Sequence, residues 1–127
     1  MIQDGVRDEV KKAISQLIEE KGGGIEAYKQ IINETCEYLR QVLGFMIFNL
    51  IMERISRMTN ERFSYLELPM TKDGPDLSTL EDSEENIEAL KFYIDCAIEL
   101  AEELGGDTLL KGLMRRLNDV GHTHENL

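Results

Sequence analysis

Tryptophan is absent from the 127 residues, proline and cysteine each occur twice, and only 6% of the side chains are aromatic. Cys36 and Cys96 stand apart from one another and from histidine, which excludes a disulfide framework and a zinc-finger ligand set. No charged and then apolar leader ending in small residues opens the chain, so a cytoplasmic protein with reduced thiols is expected. Histidine is limited to His122 and His124, both in the terminal GHTHENL. A carboxylate-bridged two-metal centre in a helical bundle needs Glu-x-x-His on two helices, so that centre cannot be assembled and no metal or cofactor is expected. Basic residues are scarce too: 14 Lys and Arg face 25 acids, a net charge of −11. Such a chain repels a phosphate backbone and an anionic membrane surface, and neither nucleic acid nor membrane is expected as a partner. The longest apolar stretch, VLGFMIFNLIM at residues 42–52, would cover about 16 Å as a helix, roughly half a bilayer core.

What remains is a composition rich in Glu, Leu, Ile and Lys with 42% hydrophobic residues, enough for one helical domain with a core of its own. Ile2, Val6, Val10, Ile14, Leu17 and Ile18 recur at helical spacing until the run Gly22-Gly23-Gly24 ends the helix. From Ile25 the pattern resumes through Ile31, Ile32, Cys36, Leu39 and Leu43 to about Arg62, and Gly44 is its weak point, where a kink or break is expected. Residues 63–81 hold both prolines and read as a loop. Asp82 or Ser83 can then cap a helix whose Ile87, Leu90, Ile94, Ala97, Ala101 and Leu104 form a regular heptad. Gly105 and Gly106 are expected to stop it, and a short last helix through Leu109, Leu110, Leu113, Leu117 and Val120 to end at Gly121. The expectation is an all-α single-domain bundle of four to five helices over residues 1–121, with one long helix kinked near Gly44 and a frayed tail at 122–127.

Chemistry-bearing motifs are missing. Each cysteine has apolar neighbours three and four residues away, the setting of an inert core thiol, and GGGIEAYK lacks the Lys-Ser/Thr ending of a phosphate-binding loop. Thr108-Leu109-Leu110-Lys111-Gly112 resembles the His-x-x-Lys-Gly core of histidine phosphotransfer domains. It covers five residues, lies near the C-terminus and holds Thr108 where the phosphorylated histidine belongs, so it reads as a chance match. No enzymatic activity is expected.

Two surfaces carry the functional expectation. Residues 42–52 are apolar around almost the whole circumference, and Phe45, Met46, Phe48 and Met52 must be covered, either by the rest of the bundle wrapped around a central helix or by a second chain. Lys111, Arg115 and Arg116 form the most basic stretch, whereas Asp76 to Glu88 holds six acids and no base; the three cations are a candidate docking face for an acidic protein partner. The chain therefore reads as a non-enzymatic regulatory or signalling bundle acting through protein–protein interaction and homodimerisation. The alternatives are a sensor of a small apolar ligand with a pocket near Phe45, Phe48 and Phe92, and a degenerate phosphotransfer-like module that docks a receiver domain.

Overall fold

In the computed structural model the backbone of residues 5–125 and the side chains of residues 5–119 are described. Four helices and one minimal hairpin make up the described chain: α1 (Gly5–Glu20), α2 (Ile25–Leu43), α3 (Phe45–Arg62), β1 (Met70–Thr71), β2 (Gly74–Pro75) and α4 (Glu84–Glu125). The helix expected to run from Ile25 to Arg62 is broken at Gly44, whose φ of 85° and ψ of 162° lie where a side chain would be strained. The Gly44 amide donates to the Arg40 carbonyl and its carbonyl accepts from the Phe48 amide, each at 3.0 Å. One residue therefore closes α2 and opens α3, and the two helices meet at an elbow with no loop between them.

Loop 63–81 contains a feature its composition did not announce. Met70 pairs with Pro75 and Thr71 with Gly74 in a two-residue antiparallel ladder, and the Thr71 hydroxyl donates to the Gly74 carbonyl at 2.8 Å. Arg40 of α2 reaches Asp73 at the tip, 2.9 Å away. Ser83 caps α4, its hydroxyl accepting from the Asn86 amide at 3.1 Å.

Gly106 interrupts the helix where the glycine pair was expected to stop it, so α4 is two helical limbs joined at a kink. The backbone turns at Gly106, with φ 61° and ψ −153°, and continues as helix on both sides, past Gly121 and through residues 122–125 of the segment expected to fray. The limb before the kink is the centre of the molecule. Ala89, Leu90, Tyr93, Ile94, Cys96, Ala97, Ile98, Leu100 and Ala101 are all buried, because α1, α2 and α3 each pack against α4. Residues 42–52 are therefore not the central helix, a correction to one of the two arrangements expected. Leu104, the last heptad position, is also exposed. α1 and α4 run antiparallel, with Arg7 on Glu102 at 3.3 Å and Lys11 on Asp95 at 3.9 Å, so Leu104 lies beyond Val6, the first inward position of α1 among the described residues. Past the kink, Leu109, Leu110, Leu113 and Leu117 turn inward, and the Tyr38 hydroxyl donates to the Leu109 carbonyl at 2.8 Å in the space left by Gly112.

Candidate functional site

α3 packs against the bundle through Phe48, Ile51, Met52, Ile55 and Thr59, a stripe at spacings of three and four. Its opposite face changes character along its length. Beyond the second turn it carries Glu53, Arg54, Arg57 and Glu61, all exposed, as a solvent-facing helix should. In the first two turns it carries Met46 at 79% exposure, Leu50 at 65% and Ile47 at 46%, joined at the helix start by Phe45 at 55% and across the elbow by Val42 at 53%. No charged side chain occurs from Gln41 to Met52. Arg40 and Arg116 flank the last turn of α2, and both are tied back to acids: Arg40 to Asp73, and Arg116 to Glu34 at 3.1 Å and Glu37 at 2.9 Å. The elbow is an apolar surface without net charge on a chain of −11.

The structure divides both groups of residues singled out in the sequence. Phe48 and Met52 are core, each 0% exposed, while Phe45 and Met46 lie outside. Of the basic stretch, Lys111 and Arg115 are exposed, but Arg116 is not available for docking: besides its two carboxylates it donates to Gln41 at 3.3 Å. Adjacent arginines thus have opposite roles, and charge reversal separates them. Arg115→Glu is expected to change unfolding free energy by no more than about 0.5 kcal/mol. Arg116→Glu sets a third acid against Glu34 and Glu37 and is expected to cost about 1–2 kcal/mol. Urea denaturation of the two single variants measures the difference, and equal midpoints would mean that the α2–α4 ion pairs contribute nothing.

The interior gathers sulfur and hydroxyl groups around Met52. Met52 Sδ accepts from the Cys36 thiol and from the Tyr93 hydroxyl, each at 3.6 Å, and the Ser56 hydroxyl lies 3.4 Å from that of Tyr93. Burial pushes the Cys36 thiol up to about 12 against a lesser pull from Arg40, so the thiolate needed of a nucleophile is not formed near neutral pH. Burial likewise raises the Tyr93 hydroxyl. The cavity beside this cluster, lined by Ile32, Thr35, Cys36, Met52, Tyr93, Ile94 and Ala97, has a volume of about 10 Å³, against the roughly 300 Å³ at which ligand pockets begin. Phe45, Phe48 and Phe92 do not enclose a pocket together: Phe45 faces outward, Phe48 is in the core, and Phe92 lies under Arg62, whose guanidinium is 5.0 Å from the ring centre. An open groove of about 550 Å³ lies between α1 and α4, but its floor of Ile14, Ile18, Ile94 and Ile98 is the packed core itself. Among the described residues no group of three or more His, Cys, Asp or Glu could hold a metal ion, and no helix is long and apolar enough to cross a membrane. The side chains of His122 and His124 lie outside the described residues.

The periodicity of α3 signals its inward stripe but not the surplus on its other face. The warning in the sequence is the lack of any polar residue other than Asn49 between Val42 and Met52. Comparison with protein-family models, with curated proteins and with solved structures found no match.

Proposed function

We infer that this chain is a non-enzymatic interaction module, a helical bundle that serves a regulatory or signalling assembly by presenting the α2–α3 elbow to another protein. The carrying observation is the exposure of Val42, Phe45, Met46, Ile47 and Leu50 as one contiguous uncharged surface. Together they leave on the order of 500 Å² of apolar area uncovered, at the upper end of the roughly 300–600 Å² of the largest patch on a typical monomer. Scattered apolar residues need no partner, whereas five on two abutting helix ends cost solubility unless something covers them. The raised thiol of Cys36 and the small interior cavity weigh against catalysis and against an internal ligand site. Lys111 and Arg115 remain as an acidic partner's secondary contact.

The test is native mass spectrometry of the chain captured from its source cells, beside the double variant Met46→Glu/Leu50→Glu. The wild type is expected in an assembly heavier than 14.6 kDa, and the variant, folded to the same thermal midpoint, is expected alone. A wild type captured only as a single chain would overturn the reading.

A further inference from the structure

We propose that the occupant of the elbow is a second copy of this chain, paired about a two-fold axis that passes beside Met46. This rests on the interaction reading above and adds the partner and its geometry. Three observations carry it.

The first is electrostatic. Two copies each bearing −11 repel over most of their surfaces, and close approach is least opposed where neither presents a charge. Residues 41–52 are the longest uncharged stretch of the chain, and the copy opposite presents the same stretch.

The second is area. An interface that holds in solution buries about 1,000 Å² or more in total. The elbow supplies on the order of half of that, so the requirement is met when the partner contributes an equal apolar area. A second elbow does so.

The third is the arrangement of the exposed side chains. Met46, the most exposed, is flanked on α3 by Phe45 and Ile47 one residue either side and by Leu50 one turn on, with Val42 across the break at Gly44. A two-fold interface needs residue i of one copy to meet residue j of the other while j meets i. An axis beside Met46 sets Phe45 against Ile47 of the second copy, the contact occurring twice, with the two Met46 side chains facing one another. The thioether chains are flexible enough to fill the seam. The charged half of α3, from Glu53 onward, lies outside the seam and limits the contact to the elbow.

The buried cysteines make this geometry testable. Because Cys36 and Cys96 are both enclosed, the variant Met46→Cys carries one accessible thiol, placed beside the axis. Purified at micromolar concentration and treated with diamide, which takes up two protons and two electrons as each disulfide forms, it is expected to yield a covalent pair under non-denaturing conditions. Cysteine at exposed Lys111 is expected to cross-link at least tenfold more slowly. Light scattering of the purified wild type is expected to give twice 14.6 kDa, with a dissociation constant in the micromolar range that falls as salt is added, since salt screens the repulsion between the acidic copies. Met46→Glu/Leu50→Glu is expected to be monomeric with an unchanged thermal midpoint. A purified wild type that stays monomeric and a Met46→Cys chain that cross-links no faster than the Lys111 control would overturn the two-fold pair. If the cell-captured chain were then found with a different protein through an intact elbow, the interaction reading would stand without it; if it were found alone, both would fall.

Discussion

Phe48→Ala will cost the fold about 3–5 kcal/mol, the loss expected when a fully enclosed aromatic side chain is replaced by a methyl group and the space only partly collapses. Phe48 is 0% exposed and is among the largest fully buried side chains of the core. It comes from α3, while the hairpin lies over its ring: a carbon added at Gly74 would stand 3.9 Å from Phe48 Cζ. The substitution therefore loosens two contacts, α3 against the bundle and the hairpin against α3. Phe45→Ala, three residues earlier on the outer side of the elbow, is the control. It is expected to leave the unfolding free energy of the single chain within about 0.5–1 kcal/mol of wild type and to act on association instead. Urea denaturation in the Met46→Glu/Leu50→Glu background separates the two effects, because stability there does not depend on protein concentration. A cost below about 1 kcal/mol for Phe48→Ala would mean that α3 is not docked as described.

Gly74→Ala is the second large effect, about 2–5 kcal/mol, summed from two independent causes. At φ 122° an L side chain costs about 1–2 kcal/mol. The added carbon would also meet Cys36 Sγ at 3.0 Å and Cys36 Cβ at 3.3 Å, backed by a packed core that yields at a further cost of about 1–3 kcal/mol. The cheaper response is for the hairpin to lift, and Cys36 reports it. In the wild type this thiol is enclosed and protonated; with the hairpin displaced it is expected to react with an aromatic disulfide reagent many times faster. Unchanged labelling together with an unchanged midpoint would show that β2 does not rest on Cys36. Arg40→Ala, which releases Asp73, is expected to raise the labelling rate by a smaller factor, since an exposed ion pair contributes about 0–1 kcal/mol.

The helices were legible wherever the signal is local. The spacing of Val10, Ile14, Leu17 and Ile18 places α1, the heptad from Leu90 to Ala101 places the first limb of α4, and Gly44 marks the break between α2 and α3. The hairpin was not, because two-residue strands are too short to alternate, although Asp73-Gly74 is a turn signal in its own right. Which helix lies at the centre was not legible from apolar content. The uncharged stretch 42–52 looks the more buried of the two candidates, yet α4 holds that place, its charges between residues 86 and 102 confined to a narrow stripe of Glu88, Lys91, Asp95, Glu99 and Glu102. Periodicity shows which side of a helix is apolar; coverage depends on how many neighbours the chain can bring round it, and at the elbow the described residues bring none to the outer side. The split between Arg115 and Arg116 was hidden for a similar reason, since the acids that claim Arg116 are 82 positions away in the case of Glu34.

The place of α4 bears on how the protein comes into being. The helix around which the others pack is the last of the four to leave the ribosome, and the Arg7–Glu102 pair joins residues 95 apart. Until residues 89–101 emerge, α1, α2 and α3 each hold an apolar stripe with no common surface to bury it against, and the elbow adds a further sticky face to the unfinished chain. Folding then waits on contacts of long sequence separation, with the loop-closure cost and the slow search they entail.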